Sequence, residues 1–322
     1  VPLLLAVSYG ATIGGMATPV GTPPNLIFLE ISRTMWPERP PIGFGQWMSF
    51  GIPFALIYMA FAWLLITRIV FRVPTHRIIE VAQVKEGLGS MGRMTNAEAK
   101  AGILFALVAL LWVTGDGISF SDTFHIPGWR EKLQLTAVTD GAIAIAAAII
   151  LFLVHAPIPT SEKTRIRGPL MTWDIAEQKL PWGILLLFGG GFAIASGLER
   201  TGLAHIMVAA LNDYNSLHPT ALIATVSTLV CVLSELGSNT ATASLTLPIL
   251  AESATVWGMD PHWLLIPATL AATLGFALPV ASPMQAIIFA SGRIPVREMV
   301  KAGVWMDLIG IVLLTIFFGV LG

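Results

Sequence analysis

Two apolar stretches of this sequence, each broken by glycine and proline, repeat each other near opposite ends of the chain. Residues 15–23 read GMATPVGTP, and residues 275–283 read GFALPVASP. A helix break at membrane depth leaves backbone N–H and C=O groups unpaired, which is costly unless the break is buried in protein or lines a cavity. Such a break in both halves of a membrane protein is typical of a transporter's binding site. The repeat therefore predicts a binding site formed by two broken helices.

The composition is that of a polytopic membrane protein. Hydrophobic residues make up 55% of the chain and charged residues only 11%, whereas soluble domains carry about 25% charged residues. The net charge of −1 argues against a nucleic-acid partner. The sequence has a single cysteine, scattered histidines and neither a CxxC nor an HExxH motif, so we expect no transition-metal site.

Seven apolar runs are long enough to cross the bilayer, which takes about 17–25 helical residues. An eighth stretch, residues 219–257, has two apolar arms around a polar tip at 237–240. Each arm either spans the bilayer or dips into it and returns, and hydropathy does not decide between the two. A capping-box pattern at 95–98 predicts a helix start, and residues 173–179 predict a short surface helix. The seven runs lie at 3–31, 47–72, 99–116, 134–154, 182–198, 263–291 and 302–321.

Lys and Arg are unequally distributed between the two sides of the membrane. Thirteen lie in or beside the connections after spans two, four and six, and five lie on the other side. The positive-inside rule places the first group in the cytoplasm and the C-terminus outside. Span one then runs outward and span six inward, so the repeated motifs form an inverted repeat. The thirteen are Arg68, Arg72, Arg77, Lys85, Arg93, Lys100, Lys163, Arg165, Arg167, Lys179, Arg293, Arg297 and Lys301, and the five are Arg33, Arg39, Arg130, Lys132 and Arg200.

The two breaks and the polar tip lack fixed positive charge, because no Lys or Arg occurs from 1 to 32 or from 201 to 292. We expect a helix that begins near Thr240 to direct free N–H groups and a positive dipole end toward an anion. We expect the arm ending near Gly237 to direct free carbonyls toward a cation, and the Asn239 amide to serve both. The alternative is that these are ordinary cap, turn and packing residues.

Four acidic residues lie within apolar stretches, where ionisable groups are functional candidates. They are Asp140, Glu235, Glu252 and Asp307. We expect Glu235 and Glu252 to have structural roles, bonded to backbone or to neighbouring polar groups. We favour a structural role for Asp307 as well, and the alternative for this residue is a proton or cation site.

The tip and the breaks resemble motifs of the divalent anion/sodium symporter family, the sodium-coupled dicarboxylate and citrate transporters. Residues 234–242, SELGSNTAT, resemble the second Ser-Asn-Thr signature of that family. Residues 21–25, GTPPN, and residues 279–283, PVASP, resemble its two unwound-helix motifs. The resemblance covers nearly the whole chain.

The resemblance implies an all-α, polytopic, inverted-repeat transporter that is a homodimer and works by an elevator movement. A transport domain with broken helices and a re-entrant hairpin would slide against a dimeric scaffold. Residues 1–73 would form the first-repeat part of the transport domain, 74–200 the scaffold and dimerisation spans, and 201–322 the second-repeat part.

The resemblance also implies roles for individual residues. One sodium site would be formed by Ser234, Gly237, Asn239 and Ala281, and Gly21 would complete the other. The substrate carboxylates would be contacted by Thr22, Pro23, Ser238, Asn239, Thr240, Ser282 and Pro283. Na⁺ would be the coupling ion, with no further metal and no cofactor.

Three features depart from the family pattern. The first hairpin, with its own Ser-Asn-Thr, is missing. The chain begins at Val1 inside an apolar run without a charged n-region, so this run is no signal peptide, and we expect a longer protein that extends upstream. Residues 282–285 read SPMQ where the family commonly has TPPN, and Asp307 stands where Asn is common. These departures leave the substrate and the coupling ion open.

The leading hypothesis is a secondary active transporter, not an enzyme, that couples Na⁺ to the uptake of di- and tricarboxylates such as succinate, malate or fumarate. We expect it in a bacterial plasma membrane. A sodium-independent dicarboxylate exchanger of the same family is the nearest alternative. The others are an oxyanion transporter or cation/proton antiporter of the ion-transporter superfamily, and an inactive remnant or membrane scaffold.

Overall fold

The structure is a computed structural model, and its described residues form two compact units that are mostly helical. The first unit takes its residues from 1–42, 47–73 and 182–322, and the second from 43–46 and 74–181. The predicted division into transport and scaffold domains stays a prediction. The described residues are 1–39, 42–71, 92–116, 118–121, 124–135, 137–159, 165–180 and 218–319, with isolated positions at 85, 87, 89, 182, 193, 197, 200 and 201.

Twelve helices and four short strands make up this part of the chain. The helices are α1 (Pro2–Met16), α2 (Pro23–Met35), α3 (Phe44–Leu64, continued by a π-helix Leu65–Val70), α4 (Asn96–Val113), α5 (Trp129–Lys132), α6 (Asp140–Leu153), α7 (Trp173–Lys179), α8 (Pro219–Leu236), α9 (Asn239–Val256), α10 (Pro261–Ala272), α11 (Pro283–Ala290) and α12 (Val296–Gly319). The strands are β1 (Ile118–Ser121), β2 (Phe124–Ile126), β3 (His155–Pro159) and β4 (Arg165–Pro169).

Among the described residues, four helices are long and apolar enough to cross a membrane. They are α3 with its π-helical extension, α4, α8 and α12, and the shorter helices α1 and α6 are also apolar. These helices agree with the predicted polytopic membrane protein. The predicted span at 182–198 lies almost entirely outside the described residues.

Both repeated motifs interrupt a helical segment, as the sequence predicted. Helix α1 ends at Met16 and α2 begins after Thr22, whose backbone is extended (φ −145°, ψ 143°). Helix α10 ends at Ala272 and α11 begins after Ser282, which has nearly the same backbone conformation (φ −146°, ψ 156°). In both cases a proline follows at the first helical position, where its missing N–H and fixed φ are tolerated.

Within each break, the residue near its start lies very close to a residue near its end. A Cβ atom at Gly15 would lie 2.7 Å from the carbonyl oxygen of Gly21. At the equivalent place in the second break, a Cβ atom at Gly275 would lie 2.9 Å from the Cβ of Ala281. The first position of each pair must therefore lack a side chain, which accounts for the glycine that the two motifs share.

The polar tip joins two helices that pack against each other. Helix α8 ends at Leu236 with Gly237 as its C-cap, and α9 begins at Asn239 with Ser238 as its N-cap. Helix α8 also packs against α10 and α12, and α9 packs against α10 and α2. The helix ends lie where the sequence placed them, whereas the re-entrant course of the hairpin stays a prediction.

Two tyrosines connect the first half of the chain to the second break. Tyr9 in α1 donates its hydroxyl hydrogen to the Phe276 carbonyl (3.3 Å), and Tyr58 in α3 donates to the Met306 carbonyl (2.7 Å). The ring of Phe276 packs edge-on against both tyrosine rings, with centroids 4.9 Å and 5.9 Å away. All of these side chains are buried, so the break sits in an aromatic core of the first unit.

The second unit contains two small antiparallel hairpins, β1–β2 and β3–β4, so the expected all-α class is corrected to a mostly helical one. In a two-stranded ribbon each strand has a free edge, and a proline whose nitrogen faces that edge removes no ladder hydrogen bond. Pro157 of β3, paired with Arg167, occupies such a ribbon. The strands were not predicted, because alternation over three to five residues is too short to indicate a strand.

Helices α4 and α6 pack against each other within this unit. Thr95 and Glu98 form the predicted capping box at the start of α4, and the predicted short helix at 173–179 is α7. Asp140, at the start of α6, forms an ion pair with Arg130, which also pairs with Asp116 (2.8 Å). This carboxylate thus has a structural partner.

We expect Arg130→Met to destabilise the second unit. The Arg130 side chain is 9% exposed and neutralises two carboxylates, which the substitution leaves adjacent and unpaired. The carboxylates are about 40% exposed, so we expect a cost of about 1–2 kcal/mol rather than the larger cost of a fully buried pair. Thermal unfolding of the purified protein in detergent measures this cost.

The matched control is Lys132→Met, an exposed cation on the same short helix, which should leave the Tm unchanged. Adding Asp116→Asn and Asp140→Asn to the Arg130→Met protein should recover part of the loss. An unchanged Tm for Arg130→Met alone would contradict the structural role of this ion-pair network.

Candidate functional site

The second break is stabilised by carboxylates from two other helices. Glu235, at the end of α8, accepts hydrogen bonds from the N–H groups of Ala277 (2.7 Å) and Leu278 (2.8 Å). Asp307 of α12 accepts from the N–H of Phe276 (3.4 Å) and lies beside the Glu235 carboxyl group. Three successive N–H groups of the break are thus paired, which is the structural role expected of Glu235.

Oxygen atoms from three segments converge on the side chain of Asn239. Ser234 Oγ lies 2.6 Å from the Ala272 carbonyl oxygen and 2.7 Å from Asn239 Oδ1. The same end of the amide lies 2.8 Å from the Ala281 carbonyl oxygen and 3.3 Å from that of Ala272. Asn239 also donates its backbone N–H to the Ala281 carbonyl (3.3 Å). Ser234, Asn239 and Ala281, three predicted sodium ligands, therefore lie together.

The Asn239 amide has two possible orientations in this cluster. With Oδ1 directed inward, the amide oxygen, one hydroxyl and two carbonyls converge, which is a surplus of acceptors. With Nδ2 directed inward, the amide donates to Ser234 Oγ and to both carbonyls. The orientation with Oδ1 inward suits a bound hard cation. The orientation with Nδ2 inward suits the cluster when no cation is bound.

Four helix ends meet at this cluster. Ser234 lies in the last turn of α8 and Ala272 is the last residue of α10, so two C-termini with free carbonyls are present. Asn239 is the first residue of α9, and Ala281 precedes the start of α11, so two N-termini are present as well. Negative and positive helix ends at one place favour a cation next to an anion.

Most of the predicted substrate residues border these helix starts. Ser238 is the N-cap of α9, and its carbonyl accepts from the Thr242 N–H (2.8 Å). Thr240 is nearly buried in the first turn. Ser282 is the N-cap of α11, followed by the exposed Pro283. Ser238, Thr240, Ser282 and Pro283 thus lie within one helical turn of the Asn239–Ala281 contact.

The remaining predicted residues belong to the first break or to the tip. Gly21 faces Gly15, Thr22 is the N-cap of α2 and Pro23 is half-buried beside it. The connection of these three residues to the cluster is the packing of α2 against α9. Gly237 is the C-cap of α8 and adjoins the cluster along the chain. Their binding roles stay predictions.

Two residues of the cluster around Asn239 were not predicted from the sequence. Ala272 contributes a carbonyl, and Gly275 contributes the absence of a side chain next to the Asn239 amide. The carbonyl of Ala272 was open to prediction in principle, because the last carbonyls of any helix lack intrahelical partners. The proximity of Gly275 to Asn239 is a long-range contact, and the sequence carries no local signal for it.

We expect Gly275→Ala to weaken sodium binding. The added Cβ would lie 3.0 Å from the Asn239 amide oxygen and 2.9 Å from the Ala281 Cβ, so the cluster must widen. Displacing ligands by a few tenths of an ångström should raise the sodium concentration for half-maximal uptake roughly tenfold, a loss of about 1.4 kcal/mol. Sodium titration of uptake by the natural full-length protein in proteoliposomes measures this change.

Gly14→Ala is the matched control, since a Cβ at Gly14 in α1 would meet no atom within 4 Å. It should leave sodium dependence unchanged and stabilise α1 slightly. Equal sodium dependence in the two variants would show that Gly275 has no part in the cluster.

Comparison with known proteins identifies the family of this chain. The family described as "Sodium:sulfate symporter transmembrane region" matches residues 2–321. The chain is 36% identical over 323 aligned positions to proteins named sodium-dependent dicarboxylate transporter SdcS from Staphylococcus aureus strains NCTC 8325 / PS 47, COL and USA300. The alignment covers 98% of this chain and 58% of each relative, so the chain spans a little over half of their length.

These relatives and the family are transporters rather than enzymes, as the sequence predicted. The match extends over almost every described element, including both breaks and the polar tip between them. The resemblance drawn from the motifs is thereby confirmed. The chain is an integral membrane protein and belongs to the sodium:sulfate symporter family.

Proposed function

We propose that this chain forms part of a sodium-coupled symporter for dicarboxylates of the succinate, malate and fumarate class. The observation that carries the proposal is the convergence of four helix ends on the Asn239 amide. The named activity of the Staphylococcus aureus relatives, sodium-dependent dicarboxylate transport, supports the same assignment.

The cation binds among the oxygens of Ser234, Asn239, Ala272 and Ala281. Two helix C-termini contribute negative dipole ends to this place, and the neutral ligands leave the charge of the ion uncompensated. A monovalent cation fits such a set better than a divalent one, because divalent ions commonly take carboxylate ligands. The uncompensated charge then attracts an anion to the adjacent helix N-termini.

The Asn239 amide couples the two ligands. With Na⁺ bound, Oδ1 faces the ion and Nδ2 is turned outward, where it donates to a substrate carboxylate. Without Na⁺, Nδ2 pairs with the oxygens of the cluster, and the outward Oδ1 repels the carboxylate. The two ligands thus favour the same amide orientation, which makes their binding mutually cooperative.

The anion binds without any Lys or Arg from residues 1–32 or 201–292. Its partners are the N-termini of α9 and α11, the hydroxyls of Ser238, Thr240, Ser282 and Thr22, and the Asn239 amide. Pro23 and Pro283 shape the site but have no N–H to donate. Such a site is weak for a dianion unless a cation accompanies it, which favours symport over uniport.

The arrangement of the two broken helices supports the inverted repeat. Helix α1 packs against α11, and α2 packs against α10, so the first half of each broken pair contacts the second half of the other. A two-fold relation between the pairs produces this reciprocity. We further propose the elevator movement, the homodimer, the C-terminus on the outer face and the bacterial plasma membrane as the location.

A second candidate substrate is sulfate, because the family description names sodium:sulfate symport. The same neutral donors and helix N-termini suit a compact dianion with tetrahedral oxygens. Uptake of labelled succinate into proteoliposomes containing the natural full-length protein, with and without an inward sodium gradient, tests the proposal. Competition by excess sulfate then separates the two substrates. Succinate uptake that is indifferent to sodium would contradict symport and favour an exchanger.

We expect Asn239→Ala to abolish transport while the protein still folds. The change removes the amide oxygen from the cation and the amide N–H from the anion. A hydrogen bond to a charged group contributes about 1.5–3 kcal/mol, so each affinity should fall about 10- to 150-fold. Uptake kinetics together with Tm measure both effects.

Asn239→Asp separates the two contacts, because it keeps an oxygen for Na⁺ and removes the donor for the carboxylate. We expect this variant to bind Na⁺ and to lose succinate binding. Asn96→Ala, an exposed asparagine at the start of α4, serves as the control. Near-normal uptake by Asn239→Ala would place the site elsewhere.

We expect Asp307→Asn to leave the sodium dependence and the pH profile of uptake unchanged. An asparagine Oδ1 can still accept from the Phe276 N–H, and its Nδ2 can donate toward Glu235. Asp307→Ala removes the acceptor and should lower the Tm, because the buried Phe276 N–H is left unpaired. A shifted pH profile in Asp307→Asn would instead assign a proton or cation role to Asp307.

A further inference from the structure

Gln285 is a fully buried amide without a hydrogen-bond partner. Its side chain is 0% exposed, and neither Oε1 nor Nε2 is bonded to any group in the described part of the chain. Buried amides nearly always have partners, because an unpaired one loses the hydrogen bonds that water gave it. A polar partner other than the described residues is therefore expected at this position.

The position of Gln285 is next to the candidate site. It is the third residue of α11, and its backbone N–H donates to Ser282 Oγ (3.3 Å). Ser282 directly follows Ala281, whose carbonyl accepts from the Asn239 N–H. One helical turn spans about 5 Å, so Gln285 lies within one turn of the start of α11.

At the equivalent position of the first break, the side-chain amide already has hydrogen-bond partners. Asn25 is the third residue of α2, also fully buried, and its Nδ2 donates to the carbonyls of Thr18 (2.9 Å) and Gly15 (3.4 Å). Its amide hydrogens thus close its own break. Gln285 makes no such bond across the second break, where Glu235 bonds two of the N–H groups. The two breaks therefore differ, and only the second offers an unused amide donor.

The surroundings of Gln285 are polar but uncharged. Gln285 and Ile288 are the buried residues of α11, and α1 packs against this helix. On the buried face of α1, the hydroxyls of Ser8 and Thr12 also lack partners in the described residues. Neither helix carries a charged residue. Neither helix therefore repels a negative charge bound next to α11, and both carry groups that can donate hydrogen bonds.

Backbone donors are scarce at the start of α11. Pro283 has no N–H, and the N–H groups of Gln285 and Ala286 are bonded to the hydroxyl and the carbonyl of Ser282. A carboxylate has about four acceptor positions to fill. A side-chain amide that donates to it forms a charge-assisted bond, which is stronger than a bond between neutral groups. The Gln285 amide supplies the donor that the helix lacks.

We infer that Gln285 is a further substrate-binding residue, whose Nε2 donates to a carboxylate of the bound dicarboxylate. This inference rests on the proposed function and adds a residue to its substrate site. The carboxylate at α11 has a side-chain amide donor, whereas the equivalent amide at α2, that of Asn25, is bonded within its own break. The site is accordingly asymmetric with respect to the two ends of the substrate.

The test compares Gln285→Met with the wild type in the natural full-length protein. Met has nearly the same length and volume but no hydrogen-bonding group. We expect the succinate concentration for half-maximal uptake to rise roughly tenfold or more, with unchanged sodium dependence at saturating succinate. The succinate-induced rise in Tm should shrink, while the Tm without succinate should stay equal or increase, because an unpaired buried amide has been removed.

Gln285→Glu provides a second measurement if Gln285→Met folds poorly. The carboxylate is isosteric with the amide and repels the anion, so succinate affinity should again fall at least tenfold. Asn25→Leu is the matched control at the equivalent position, and it should lower the Tm without succinate because its amide closes the first break.

Two outcomes overturn the assignment in different ways. Wild-type protein that neither takes up succinate nor gains thermal stability from it would overturn the proposed function and, with it, the role of Gln285. Wild-type uptake accompanied by unaltered succinate affinity in Gln285→Met or in Gln285→Glu would overturn the role of Gln285 alone.

Discussion

The structure depends on pairing the backbone of a helix that is broken inside an apolar segment. At the second break the Glu235 carboxylate accepts two N–H groups and Asp307 accepts a third. Without these acceptors, unwound backbone in an apolar environment would be strongly unfavourable. With them, the chain between α10 and α11 keeps its non-helical course, and the carbonyls of Ala272 and Ala281 lie next to the Asn239 amide. Two acids thus hold the backbone that shapes the candidate site.

The same break is the basis on which the proposed site, whose ligands are uncharged, would bind a cation and an anion. Each helix end carries about half an elementary charge, of one sign at C-termini and of the other at N-termini. Two ends of each kind meet around Asn239, so their partial charges nearly cancel in the empty site, and a bound cation offsets part of the charge of a dianion. Either ion alone leaves a net charge in a medium of low polarity. Paired binding follows from this balance.

The sequence was sufficient for local features and insufficient for distant contacts. The Gly/Pro repeat located both breaks, and the polar tip located the ends of α8 and α9, because prolines, glycines and capping residues act on their own backbone. The bonds of Glu235 to the second break, the place of Gly275 beside Asn239 and the missing partner of Gln285 arise from packing between residues far apart in sequence. The hairpins of the second unit were missed because their strands are only three to five residues long, too short for a reliable period-two signal.

The tyrosine contacts described above have a mechanical consequence. Tyr9 bonds α1 to the Phe276 carbonyl, and Tyr58 bonds α3 to α12. Both tyrosine rings pack against the Phe276 side chain. A local opening of the second break would have to separate this aromatic cluster and leave the Tyr9 hydroxyl and the Phe276 carbonyl unpaired in the core. These contacts therefore oppose local opening of the break and tie α1, α3 and α12 to it.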